Sequence, residues 1–202
     1  MKSPLLARHL DSFMESVWTI AVFATGVVAA VLLLGFALSS YFLADFHFWP
    51  PEQGKPWQYH VFWILFRIFV LSLVALSILD FHGAVSAPAP AWLGFVGWPL
   101  AALGFGAALY LTNFLGWRTA YSVEPEGLRT DGAFTWSRNP IYVVTLVGMV
   151  GLGLAVASWW AAILLTLWAL FYLLAPVLEE PWLEHTYGSE YLDYKSRTPR
   201  FL

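Results

Sequence analysis

Four long apolar tracts, at 17–43, 61–79, 91–115 and 141–178, alternate along the chain with short segments rich in charge, proline and glycine. Within each tract the apolar residues are continuous and do not alternate with polar ones, so each reads as a helix and not as a barrel strand. A helix rises about 1.5 Å per residue, and a hydrocarbon core of ~30 Å needs ~20 residues. The last tract is nearly twice that length. It divides into spans at 141–157 and 160–178 with a tight turn near "VASWW", and the pattern predicts five transmembrane helices, the last two forming a hairpin. The start, "MKSPLLARHLDSFMES", reads as a short interfacial helix, because acidic residues precede an apolar run long enough to span. No linker, repeat or low-complexity segment interrupts the chain, so the expected fold is all-α, a single polytopic membrane domain over 1–202.

Composition strengthens this picture. Of 202 residues 59% are hydrophobic and 11% charged, with twelve tryptophans, and the mean hydropathy is +0.66; this is the balance of an integral membrane protein. A formal net charge of -3 and scattered Lys and Arg argue against nucleic acid, and direct attention to membrane lipids and small solutes. The absence of cysteine excludes disulfides, thiolate nucleophiles and Cys-ligated metals. Charge also sets orientation. In the five-span arrangement one face carries Lys2 and Arg8, the other Lys55, Arg118, Arg129, Arg138, Lys195, Arg197 and Arg200. The positive-inside rule then places the C-terminus in the cytoplasm, with a helical tail, and the N-terminus outside.

Candidate chemistry gathers in the last third. In "SRNPIY", 137–142, Arg138 precedes Pro140, a residue suited to the first turn of a helix; the pair reads as a helix start carrying a cation, either an interfacial anchor or a ligand contact. The hairpin returns "LEEPWLEHTYGSEYLDY", 178–194, to the same membrane face, which brings Glu179 and Glu180 towards Arg138. If the helix continues beyond Pro181, then Glu180, Glu184, Tyr187, Tyr191 and Tyr194 share one face, although Gly188 weakens that continuity. The alternative is an amphipathic tail with its tyrosines at the headgroups. In the third span "LGFGAAL" sets Gly104 and Gly106 two residues apart, which suits close helix packing or the approach of a flat ligand. Arg67 lies inside the second span, either as a functional charge or snorkelling to the interface. Asn113, Asp80 and His82 read as interfacial, and His47, His60 and His185 lack metal-ligand spacing, so no metal is expected.

The succession "RNPIY", a two-span hairpin, "EEPWLEHTYG", "YLDY" and a terminal "TPRFL" resembles the isoprenylcysteine carboxyl methyltransferase and phospholipid methyltransferase superfamily. That family's pattern is Arg-His-Pro-x-Tyr, a hairpin, Glu-Glu and a Tyr-Gly-x-x-Tyr tail. Asn139 in place of the histidine, together with "EEPW" and a Gly-x-Gly in the third span, looks more like the phosphatidylethanolamine branch. The resemblance implies a membrane-embedded methyltransferase that binds S-adenosylmethionine through segment 116–202 at the cytoplasmic surface, with a lipidic acceptor of the isoprenylcysteine carboxylate or phospholipid amine type. It implies cofactor contacts at Gly104, Gly106, Arg138, Pro140, Tyr142, Glu179, Glu180, Tyr187 and Tyr191, with Arg138, Tyr142 and Glu179 nearest the chemistry. The donor's carboxylate suits Arg138 and its ammonium Glu180, and a lipid amine needs a base drawn from Glu179, Glu184 and Tyr142. A sterol-reductase-like enzyme using NADPH and a non-catalytic scaffold or transporter are the rival expectations.

Overall fold

In the computed structural model three of the helices begin on a proline. Pro4, Pro56 and Pro140 each occupy the first position of a helix, where the missing N–H has no intrahelical partner to lose. The helices are α1 (Pro4–Phe42), α2 (Pro56–Leu79), α3 (Trp92–Leu115), α4 (Pro140–Val156), α5 (Trp159–Tyr187) and α6 (Ser189–Arg197), with a 3-10 turn at Gly132–Thr135 before α4. The structure describes residues 4–43, 46, 48–50, 56–81, 90–116 and 127–202, the side chains of 4–13 and 56 excepted, and among them there is no strand.

Four helical segments are long and apolar enough to cross a bilayer: Met14–Phe42, Trp57–Leu79, Trp92–Leu115 and Trp159–Tyr187. Helix α4 is apolar but has 17 residues. Large apolar side chains face outward, Leu71, Ile78, Phe95 and Leu103 being 67 to 82% exposed. Such a surface is costly in water and suited to lipid. The N-terminal segment departs from expectation: α1 runs unbroken from Pro4, so no separate interfacial helix precedes the span.

The α4–α5 turn falls within "VASWW" as predicted. Ala157 closes α4 in the left-handed region (φ 51, ψ 40), its N–H bonding Gly153 O. Ser158 then caps α5, its Oγ accepting from Ala161 N at 3.3 Å. Helix α5 outlasts the predicted span, continuing through Pro176 and Pro181 to Tyr187. Gly188 (φ 55, ψ -129) ends it in a conformation unfavourable to other residues and turns the chain into α6. The one-face helix imagined through 194 is therefore two helices.

Helices α1, α2 and α5 share a core of small and large apolar residues, including Ala30, Leu33, Phe69, Leu73, Leu164 and Phe171. Helices α3 and α4 make the most extensive helix pair. Their seam is built from small residues. A Cβ on Gly104 would strike the backbone of Gly148, one on Gly97 that of Ala155, and one on Gly151 that of Ala101. A second cluster of Phe134, Tyr191 and Tyr194 forms where α6 folds back on the start of α4.

Candidate active site

The stretch Ser137–Asn139 is clasped by the C-terminal tail. Arg138 N donates to Pro199 O at 2.9 Å, Asn139 Nδ2 to Arg200 O at 2.9 Å, and Ser137 Oγ to the same carbonyl at 3.4 Å. Tyr194 adds its hydroxyl to Phe134 O at 2.6 Å. These backbone anchors turn Arg138 inward, where its side chain is only 8% exposed. Asn139, at the position of the family histidine, thus holds the tail.

Inside, Arg138 meets Glu180. Arg138 Nη1 lies 3.0 Å from Glu180 Oε1 and donates to Tyr191 Oη at 3.2 Å. Arg200 grips both oxygens of Glu180, at 2.7 and 2.9 Å, in the fork geometry that suits a carboxylate. Lys195 Nζ completes the ring at 3.1 Å from Glu180 Oε2 and 2.6 Å from Glu184 Oε1. Both oxygens of Glu180, to which the resemblance assigned the donor's ammonium, are already held by cations. Arg138 Nε, in contrast, is buried and has no acceptor among the described residues. The surroundings also move the tail's proton equilibria. Hydrogen bonds to Glu184 and then Glu180 raise Lys195, while burial raises Tyr191 and pushes Tyr194 up to about 12.

Glu179, the preceding residue, has different neighbours. Consecutive helical residues point about 100° apart, and Glu179 turns towards aromatic rings. Tyr142 Oη donates to its Oε1 at 2.5 Å and Trp49 Nε1 to the same oxygen at 3.1 Å. Among the described residues no cation pairs with it. Tyr142 packs edge-on against Tyr172, ring centres 4.7 Å apart; Trp49 lies 4.7 Å from Phe62 and 5.4 Å from Phe171.

A cavity of about 250 Å³ joins the two surroundings. Its lining divides by chemistry: Arg138, Glu180, Tyr187 and Tyr191 supply charge and hydroxyls, while Trp49, Phe62, Trp63, Phe66, Phe171 and Tyr172 supply aromatic faces. Of the residues implied by the resemblance, Arg138, Pro140, Tyr142, Glu179, Glu180, Tyr187 and Tyr191 line it. Gly104 and Gly106 do not. Gly104 is consumed by the α4 seam, and beside Gly106 there is open space. Arg67 faces outward on α2, and Asp80, read as interfacial, is fully buried; neither lines the cavity. Asn113 bonds its own helix at Leu109 O. Lys2, His47, Lys55, His82 and Arg118 lie outside the described residues, as does the Arg8 side chain.

Trp49, Lys195 and Arg200 are contributions that the motifs did not assign. Arg200 stood in the quoted "TPRFL" and Lys195 entered only the charge count; Trp49, in an aromatic loop between spans, carried no periodic or spacing signal.

Residues 92–190 match the phospholipid methyltransferase family. The match begins at the start of α3, ends in α6 and carries Arg138, Tyr142, Glu179 and Glu180. The match is consistent with the wider superfamily of integral membrane methyltransferases that the "RNPIY" and "EEPW" stretches resemble. Helices α1 and α2 and the loop bearing Trp49 lie outside the matched segment. No curated protein and no solved structure matches the chain.

Proposed function

We propose that this protein transfers a methyl group from S-adenosylmethionine to a lipidic amine, at the cytoplasmic end of a five-span helical bundle. The observation that carries the reading is Arg138, a buried guanidinium on the cavity wall, fixed by Glu180 and Tyr191, whose Nε–H has no acceptor among the described residues. Buried donors are rarely left unpaired, and a ligand carboxylate in the cavity satisfies this one. The methyl donor has such a carboxylate, and the matched family generally uses it. When bound, S-adenosylmethionine supplies an electrophilic methyl carbon whose bond to sulfur breaks as the bond to the acceptor forms.

The remaining residues divide the work. Glu180, already surrounded by cations, orients Arg138. Pro140, Tyr187 and Tyr191 shape the donor's side, and the rings around Trp49 and Phe62 receive the acceptor. Glu179 and Tyr142 sit where a proton must leave. A phospholipid ammonium has to lose one before its nitrogen attacks, and a carboxylate held only by neutral donors is suited to take it. A carboxylate whose described partners are the neutral donors Tyr142 and Trp49 suits an ammonium better than an isoprenylcysteine carboxylate, so the amine is favoured. No covalent enzyme intermediate is required; alignment and exclusion of water suffice.

The test is calorimetric titration of the purified protein with S-adenosylmethionine, its demethylated product and NADPH, alongside Arg138→Ala and the melting temperature of each. Binding of the first two and not of NADPH is expected. Arg138→Ala should lose about 1.5 to 3 kcal/mol of donor affinity, roughly ten- to a hundredfold. Wild-type affinity in the folded variant would remove Arg138 from the donor site, and binding of NADPH alone would replace the methyltransferase reading with a reductase.

A further inference from the structure

Trp49 sits on the loop between α1 and α2, outside the segment that matches the family, yet lines the cavity. It is fixed from several directions. Ser40 Oγ, in the last turn of α1, accepts from Phe48 N at 2.8 Å and Trp49 N at 3.2 Å. Phe48 is fully buried, 5.0 Å from the Phe36 ring and 5.9 Å from Phe62. The indole rests on Phe62 and Phe171, and its N–H reaches Glu179 Oε1. Tyr142 donates to that same oxygen, so Oε2 receives neither donor. A carboxylate pinned through one oxygen presents the other in a fixed direction.

We infer that Trp49 is a specificity-determining and positioning residue for the acceptor. Its indole forms one wall of an organic-ammonium subsite completed by Phe62, Phe171 and Glu179, and its N–H sets the direction in which Glu179 Oε2 is offered. The inference rests on the amine-acceptor reading above. Its chemistry is the attraction of an alkylated ammonium to aromatic faces, tryptophan being the strongest of them, reinforced by a carboxylate. The apolar surroundings weaken competition from water. The two roles separate on substitution: Trp49→Phe keeps a ring and loses the N–H, and Trp49→Leu loses both.

The experiment uses the full chain in dodecylmaltoside micelles, with dodecyltrimethylammonium as the binding probe, and in nanodiscs containing phosphatidylethanolamine for turnover. Wild type should bind the probe. Trp49→Leu should weaken it about tenfold, while Trp49→Phe keeps most of the binding but raises the acceptor KM, and donor affinity stays within about twofold in both. Probe affinity unchanged in folded Trp49→Leu overturns the inference. So does a loss of donor and acceptor affinity in equal proportion in Trp49→Phe, the variant that preserves packing. If wild type binds the probe in a Trp49-dependent way but does not bind S-adenosylmethionine, the subsite stands and the methyl-transfer reading falls. If it binds the donor and methylates the lipid while the probe ignores Trp49, the reverse holds.

Discussion

Glu179 and Glu180 are chemically identical and adjacent, yet their partners give them opposite dependencies. Glu180 compensates a buried arginine, so Glu180→Gln removes the carboxylate that Arg138 and Arg200 share, while Lys195 keeps Glu184. Breaking a buried pair from one side costs about 3 kcal/mol. Glu179→Gln removes no ion pair and keeps an oxygen for Tyr142 and Trp49, so stability should change by about 1 kcal/mol or less. Thermal denaturation in micelles of the two variants checks the contrast, and equal losses would contradict it. Tyr194 gives a pH dependence. An unfolded tyrosine loses its proton near pH ~10, whereas burial, with Tyr191 adding and Arg138 opposing, holds Tyr194 up to about 12. Its contribution is therefore complete below the unfolded value and is lost as pH rises towards the folded one. Tyr194→Phe should lower stability at neutral pH by about 1 kcal/mol, through loss of the bond to Phe134 O, and should flatten the alkaline decline. Melting temperature against pH, wild type beside variant, reads both effects; parallel curves would sink the assignment. At this scale residue types and approximate neighbourhood were legible in the sequence. Which carboxylate meets cations and which meets rings was not, because that is set by helix phase and by a tail and a loop distant in sequence.

Helix α3 shows why a glycine pair is ambiguous until its partner is known. Gly104 and Gly106 are two residues apart, hence on different faces of the helix. One is buried in the seam with α4 and the other borders open space. Gly104→Ala sets a Cβ against the Gly148 backbone and should force the pair apart, with loss of folded protein or a clear fall in melting temperature. Gly106→Ala meets nothing, and should stabilise by up to about 1 kcal/mol through lower backbone entropy in the unfolded chain. Donor affinity should be unchanged in Gly106→Ala. Titration with S-adenosylmethionine decides the point, since a tenfold loss there would return Gly106 to the site. The positions of the apolar helices and the turn between the last two were readable from hydropathy, because lipid imposes a length on every crossing. The extension of α5 through Pro181 was not: a proline in a membrane helix removes one donor but need not end it when neighbouring helices hold the backbone.

At the scale of the molecule, the site constrains the topology. Trp49 precedes α2, Thr112 and Leu115 close α3, Arg138 precedes α4 and Glu179 lies late in α5, yet all line one cavity. Helices α2 and α3 must therefore leave that end and return to it, and α4 and α5 must do the same around the turn at Ala157 and Ser158. Helix α4, with 17 residues, is about 25 Å long, at the lower bound of a crossing. The proposed arrangement has α4 traverse, and an odd number of traverses would place the two termini on opposite sides. The chain has no cysteine, so single cysteines report without background. Trp159, 73% exposed at the start of α5, and Leu202, 84% exposed at the C-terminus, are suitable positions, with Lys2 marking the other end of the sequence. In oriented vesicles a membrane-impermeant maleimide should label Leu202→Cys from the cytoplasmic side only, as the excess of Lys and Arg on that face requires. Trp159→Cys and Lys2→Cys should label from the opposite side only. A re-entrant α4 would instead leave Trp159→Cys poorly labelled from either side and bring Lys2→Cys onto the same side as Leu202→Cys. That pattern would remove the fifth span while leaving the cavity and its residues in place.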